Sequence, residues 1–129
     1  MNAPLPRVII VDDESRMRSL LVQYLEDYDE FRLETADSGE TALKLLAAEP
    51  ADLCIVDIRL PGMDGAAFIR EARKRGRCDR FLVHTGSLDL DLSEQLHSHG
   101  LGDEDIFYKP TDLDALLARL RFHLHTAGS

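Results

Sequence analysis

The chain has 129 residues, 44% hydrophobic and 30% charged, which fits one domain with a real core and excludes a disordered tail. Its net charge of −9 repels phosphate backbones, so direct DNA or RNA binding is not expected. No apolar run approaches the roughly 20 residues that cross a bilayer, and the N-terminal MNAPLPR lacks a hydrophobic export signal. No membrane association and a cytoplasmic location are therefore expected.

Arg7–Val11 is a short apolar run, the pattern of a strand covered on both faces. From Glu14 to about Tyr28, the residues Met17, Leu20, Leu21, Tyr24, Leu25 and Tyr28 recur at helical spacing, with Ser15 as a helix-start residue. Phe31–Ala36 alternates and predicts a strand near the sheet edge. Ser38-Gly39 breaks it, and a helix over Glu40–Ala48 stops near Pro50. Asp52–Val56 is the most apolar strand. The turn cluster Pro61-Gly62-Met63-Asp64-Gly65 places Asp64 to cap a helix over Ala66–Arg75. Arg80–His84 predicts a fourth strand. Leu88–Leu92 alternates leucine with aspartate and is read as a loop leading into a helix over Ser93–His99, capped by Asp91 or Ser93, with a strand as the alternative. Gly100 and Gly102 stop that helix, and Asp105–Tyr108 predicts the fifth strand. Thr111 then caps an amphipathic helix with Leu113, Leu116, Leu117, Leu120 and Leu124 on one core-facing side. Five strands alternating with five helices predict an α/β domain with a parallel sheet and right-handed crossovers.

Four strand ends carry reactive or ionic side chains: Asp12 and Asp13 after the first, Asp57 after the third, Thr85 after the fourth and Lys109-Pro110 after the fifth. In an open parallel sheet, ligands bind at these carboxyl ends. One such aspartate is more often a loop or capping residue. Three together repel, two unit charges at 4 Å costing about 4 kcal/mol at an effective dielectric of ~20. Such a cluster raises its own pKa values or recruits a cation, and a hard divalent ion such as magnesium suits oxygen ligands. Lys109 can offset the charge of a phosphoryl group, Thr85 can donate to one of its oxygens, and Pro110 restricts the lysine's backbone. Cys54 reads as a small buried hydrophobe and Cys78 as a residue of a polar turn, both reduced and forming no motif. The histidine pairs His97/His99 and His123/His125 are two residues apart and share no helix face, so no transition-metal site is expected.

Asp12-Asp13, Asp57 in DIRLPGMDG, Thr85-Gly86-Ser87 and Tyr108-Lys109-Pro110 together resemble the signature of two-component response-regulator receiver domains. The resemblance runs from about Arg7 to Leu124 and treats 1–129 as one receiver domain without an output domain. It implies a flavodoxin-like fold with strand order 2-1-3-4-5. It also implies that Asp57 accepts a phosphoryl group from a phosphohistidine of a sensor kinase or phosphotransfer protein. Magnesium would be held by Asp13, Asp57 and the backbone carbonyl of Arg59, with Asp12 acting through water, and Thr85 and Lys109 would contact the phosphoryl oxygens. Catalysis would extend only to the chain's own phosphorylation and dephosphorylation. The partners implied are the kinase, a downstream effector or an output domain in a longer protein, and a second copy through the face of the fourth helix, fifth strand and fifth helix. Arg59 and Ser87 would border the pocket mouth and tune the phosphoryl lifetime.

Three departures from the family pattern concern signal output. Ile106 stands where an aromatic switch residue often sits, with Tyr108 on the same side by strand alternation and Phe107 opposite, in the core. The stretch from Thr85 to Gly102 is longer than usual around Leu88–Leu92, and Gly86 replaces a more common alanine. Two other readings remain open at this level. A magnesium-dependent phosphatase with an aspartate nucleophile would ordinarily carry a DxD motif, absent here. A pseudo-receiver would act by protein interaction without phosphorylation. Flavin binding lacks the serine- and threonine-rich loop it needs after the first strand.

Overall fold

A computed structural model describes residues 4–86 and 90–128. The chain alternates β1 (Arg7–Val11), α1 (Ser15–Glu26), β2 (Arg32–Ala36), α2 (Gly39–Ala48), β3 (Leu53–Val56), α3 (Gly65–Lys74), β4 (Phe81–Thr85), α4 (Leu90–Ser98), β5 (Ile106–Tyr108) and α5 (Leu113–Gly128), with a 3-10 turn at Asp103–Asp105. All strand pairs are parallel, and the order is β2-β1-β3-β4-β5, the flavodoxin-like arrangement expected.

The central strands are covered on both faces, which is why they read as continuous apolar runs. On one face Ile9, Val11, Cys54, Val56, Phe81 and Val83 pack against Leu43 and Leu46 of α2, Phe68 and Ile69 of α3 and Leu96 of α4. On the other, Val8, Ile10, Leu53, Ile55 and Leu82 pack against Leu21 and Leu25 of α1 and Leu116, Leu117 and Leu120 of α5. Strand alternation assigns odd and even positions to opposite faces. β2, at the edge, exposes Arg32, Glu34 and Thr35 to a greater degree. Arg7 opens β1 and is itself buried, its guanidinium bonded to Glu34 and to the carbonyls of Leu45 and Glu49.

Helix starts follow local chemistry. Ser38 Oγ accepts from Thr41 N at 3.1 Å, and Asp64 Oδ1 accepts from Ala67 N at 2.8 Å, as expected. At α5 the cap is Asp112, whose Oδ1 accepts from Asp114 N at 3.0 Å and Ala115 N at 3.2 Å. Thr111 instead donates to Tyr108 O at 2.9 Å, because a carboxylate one residue later meets two amides at once. Ser15 is the first residue of α1 and makes no capping bond; the Asp12 carboxylate receives Glu14 N at 2.9 Å instead. α4 already runs from Leu90, so Asp91 and Ser93 lie inside it and Leu92 packs on the core. The loop expected over Leu88–Leu92 is thus helical from Leu90, while Leu88 and Asp89 lie outside the described residues. Within α1 only Leu21 and Leu25 are buried and Leu20 is exposed, and Tyr28 lies beyond the helix end at Glu26 and is also exposed. The final-helix stripe is core as expected, with Leu113 and Leu124 partly buried at its ends.

Asp105 ties the segment before β5 to α5. It is buried, and its carboxylate takes bonds from Arg119 Nε at 2.8 Å, from Gly102 N at 3.2 Å, and pairs with His123 Nε2 at 2.7 Å. Burial alone would raise its pKa, but His123, Arg119 and Gly102 together hold the carboxyl below the usual range. Such a group contributes stability that is present above its unfolded pKa, about 4, and lost as pH falls through the lower folded value. Asp105→Asn is expected to cost about 1–3 kcal/mol at pH 7. Urea unfolding should show the variant and the natural chain converging as pH drops below about 4.

Candidate functional site

The carboxyl ends of β1, β3 and β5 converge because their last backbone bonds are strand-to-strand. Asp12 N donates to Ala36 O at 3.1 Å, Asp57 N to Val11 O at 2.9 Å and Lys109 N to Thr85 O at 2.8 Å. Asp12, Asp57 and Lys109 lie on the α1/α5 side by strand alternation. Asp12 and Asp57 are 2% and 5% exposed. Lys109 Nζ stands 3.0 Å from Asp12 Oδ2, 3.0 Å from Asp57 Oδ2 and 3.8 Å from Glu14 Oε1. The other Asp57 oxygen accepts from Arg59 N at 3.1 Å. The Lys109–Pro110 peptide is cis.

The turn after Asp57 depends on Gly65. Its N–H donates to Ile58 O at 2.9 Å, and a Cβ there would lie 2.5 Å from the Asp57 carbonyl oxygen and 2.7 Å from Ile58 Cα. Both obstacles are backbone, so α3 can start this close to the Asp57 loop only without a side chain.

Carboxylate oxygens of Asp12, Asp13, Glu14 and Asp57 all lie within 4.8 Å of one another. One ammonium faces four carboxylates, and the residual negative charge in a set of hard oxygen donors fits a divalent cation. Burial pushes the Asp12 carboxyl above its usual range despite bonds from Glu14 N and Lys109. For Lys109 burial acts downward, but Asp57 and Asp12 outweigh it and hold the ammonium above its ordinary value. The two shifts point opposite ways for the worth of the pair, as expected where desolvation and Coulomb attraction nearly cancel.

The other expected residues divide. Thr85 is buried as the last residue of β4, opposite Tyr108. Arg59 is exposed and, with Ile58, Leu60, Asp64 and Leu92, lines a shallow pocket of about 380 Å³ beside Asp57. Ser87 lies outside the described residues. Ile106 is buried opposite Val83, Phe107 packs on the α1/α5 cluster, and Tyr108 is 53% exposed, so the alternation expected for β5 holds. A larger cleft of about 750 Å³ lies at the opposite end of the sheet, lined by Pro6, Phe31, Arg32, Asp52, Arg80 and Leu124 among others. It gathers none of the carboxylate cluster, so the chemistry favours the carboxyl end of the sheet, where Asp12, Asp13, Glu14 and Asp57 meet.

Two residues of this region were not singled out in the sequence. Glu14 completes the acidic cluster, and its adjacency to Asp12-Asp13 was the available signal. His84 is 2% exposed in β4, and its Nδ1 has no hydrogen-bond partner among the described residues. The signal was a histidine inside an otherwise apolar strand.

A family model for the response regulator receiver domain matches residues 8–121. The chain is 34% identical over 123 residues to the transcriptional regulatory protein AruR of Pseudomonas aeruginosa, covering 92% of this chain and 49% of that protein. It is 36% identical over 122 residues to the virulence sensor protein BvgS of Bordetella bronchiseptica, covering 88% of this chain and 10% of that protein. Among solved structures, the signal receiver domain of an HD domain-containing protein from Pseudomonas fluorescens superposes with TM-score 0.86 at 28% identity, covering 95% of this chain and 97% of that one. The receiver domain of a LuxO repressor protein from Vibrio parahaemolyticus gives TM-score 0.87 at 26% identity, covering 97% and 94%. The fold and the matches define a signalling module of two-component systems. The chain belongs to the response-regulator receiver family, and it spans about half the length or less of these curated relatives.

Burial lowers the His84 pKa to about 4, with Lys109 adding to the effect and Asp57 opposing it. Its unfolded value is about 6.5, so the unfolded chain binds more protons between these limits. Stability is therefore expected to fall as pH drops from about 6.5 towards 4. His84→Leu should remove that part of the slope, measured by urea unfolding across the window.

Proposed function

We propose that the chain accepts a phosphoryl group on Asp57 in a magnesium-dependent transfer from a phosphohistidine and passes the signal to a partner or output domain. The observation that carries this reading is the position of Lys109 Nζ, 3.0 Å from both Asp12 and Asp57. An acceptor carboxylate, an acidic cation site and a mobile positive charge thereby share one pocket.

Asp57 presents an oxygen to the phosphorus; an oxygen–phosphorus bond forms as the phosphorus–nitrogen bond of the donor breaks and the imidazole leaves. Lys109 is drawn to the arriving phosphoryl oxygens, and Thr85 donates a hydrogen bond to one of them. Asp13, Asp57 and the Arg59 carbonyl would hold magnesium, with Asp12 acting through water and Glu14 near enough to add to the negative field. When bound, the ion supplies charge neutralisation at the phosphoryl oxygens. Positioning and electrostatics then carry most of the rate, as in phosphoryl transfer generally. Arg59 and Ser87, by their places after Asp57 and Thr85, govern water access and hence the lifetime of the acyl phosphate. Asp57 accepts once per chain, so the module acts as a switch rather than a turnover enzyme on a diffusible substrate.

The phosphorylated carboxylate biases two conformations only through contacts that differ between them. With Ile106 buried and Tyr108 exposed, an aromatic readout falls to Tyr108 rather than to position 106. The face of α4, β5 and α5 is the proposed output and dimer surface.

Incubation with magnesium and acetyl phosphate is expected to add one phosphoryl group, detected by intact mass. EDTA or Asp57→Ala should abolish the addition. Unaltered modification of the Asp57→Ala variant, or multiple turnover of a small phosphoester, would contradict the reading.

A further inference from the structure

The two cysteines, 24 positions apart in sequence, meet in the fold. Cys54 lies in β3 between Ile9 of β1 and Phe81 of β4, and Cys78 lies in the segment joining α3 to β4. Their sulfur atoms are 3.5 Å apart, Cys54 donating to Cys78, and Cys78 donates in turn to Arg80 O at 3.3 Å. They are 0% and 4% exposed, and both are free thiols. Cys78 is therefore no polar turn residue: Gly76, at φ 67°, turns the chain after α3 and sends Cys78 inward onto the sheet.

The surrounding backbone holds this pair. Ala51 N donates to Arg77 O at 3.0 Å and Cys54 N to Arg80 O at 3.1 Å, so bonds on both sides of Cys78 clamp its segment along the start of β3. Arg77 reinforces the clamp, its guanidinium donating to the carbonyls of Leu46 and Ala47 at 2.9 and 3.1 Å. A disulfide requires sulfurs about 2.0 Å apart with suitably directed Cβ atoms. Closing from 3.5 Å to that length brings the two sulfurs about 1.5 Å nearer one another.

We propose that Cys54 and Cys78 form an oxidisable dithiol, a modification site for a hydroperoxide-class oxidant, separate from the carboxylate pocket. The two sulfurs have distinct roles. Cys78 receives the hydrogen bond, which favours its thiolate and lowers its pKa although burial opposes this. Burial and the bond it donates push the Cys54 thiol up. Cys78 thus attacks first: a sulfur–oxygen bond forms as the peroxide oxygen–oxygen bond breaks, and the leaving oxygen departs as water after taking the thiol proton. Cys54 sulfur then attacks the Cys78 sulfenic acid, the sulfur–sulfur bond forms, and the sulfur–oxygen bond breaks. The hydroxyl departs as the second water with the Cys54 proton. Two thiols lose two electrons and one hydroperoxide gains them. With hydrogen peroxide both products are water; an organic hydroperoxide gives an alcohol and water.

The crosslink would join β3, which leads to Asp57, to the segment leading into β4 and Thr85. It would fasten these strands at the end opposite the phosphorylation chemistry.

The test treats the native full chain with hydrogen peroxide, blocks remaining thiols under denaturing conditions and reads the intact mass. The expected product has lost two hydrogens, resists alkylation, returns to the dithiol with dithiothreitol and gives a Cys54–Cys78 crosslinked peptide. Cys54→Ser should accumulate a dimedone-reactive sulfenic acid on Cys78, and Cys78→Ser should react roughly tenfold more slowly than the natural chain. Two thiols that remain alkylatable, oxygen addition without a crosslink, or a Cys78→Ser variant that reacts as fast as the natural chain would overturn the proposal. The measurement on the natural chain requires no variant to fold.

Discussion

The Lys109 ammonium, placed 3.0 Å from two carboxylates of different strands, is the contact on which the rest of the site depends. Asp12 and Asp57 follow β1 and β3, which are neighbours, and their buried charges repel strongly. The lysine comes from the edge strand, on the far side of β4. Its reach across the sheet makes the two carboxylates tolerable and leaves them aimed at one point. A buried ion arrangement of this kind adds little net stability as a pair, but is costly to break from one side. That imbalance suits the proposed phosphoryl acceptor, whose charge would change on modification.

The backbone supplies the precision that the side chains require. Strand-to-strand bonds at Asp12, Asp57 and Lys109 extend the sheet one residue beyond the strands, so these three side chains leave hydrogen-bonded backbone rather than loop. Gly65 allows α3 to begin in contact with the turn after Asp57. Asp105 performs a related task at the other side, fixing the approach to β5 against Arg119 and His123 of α5. The proposed output face is therefore tied by an ionic network to the strand that carries Lys109.

Much of this was legible in the sequence, for identifiable reasons. Apolar runs ending in Asp12, Asp57 and Thr85 revealed buried parallel strands and put the candidate site residues at their ends, since strand burial and ligand position share one geometry. The buried stripe of α5 followed from leucine spacing. What escaped depended on competition or on long-range contact. Asp112 and Thr111 are both competent caps, and only the path of the chain decides between them. Leucine–aspartate alternation at 88–92 suggested loop, yet Leu92 has core to cover and the helix starts earlier. Cys54 and Cys78 share no local pattern, and only the crossover from β3 to β4 brings them together. Arg7 and His84 sit in apolar runs that predict burial, but only the fold shows how differently their polar groups fare, Arg7 bonded to Glu34, Leu45 and Glu49 and His84 Nδ1 without a partner among the described residues.

In the proposed function, Lys109 stands in for a cation among acidic groups until a cation and a phosphoryl group share the pocket. Urea unfolding of Lys109→Met, in EDTA and in saturating magnesium, tests it most directly. The expected loss in EDTA is about 3 kcal/mol, the scale of stranding buried charges, with magnesium restoring more stability to the variant than it adds to the natural chain. A variant as stable as the natural chain in EDTA, or one that magnesium does not stabilise, would contradict it.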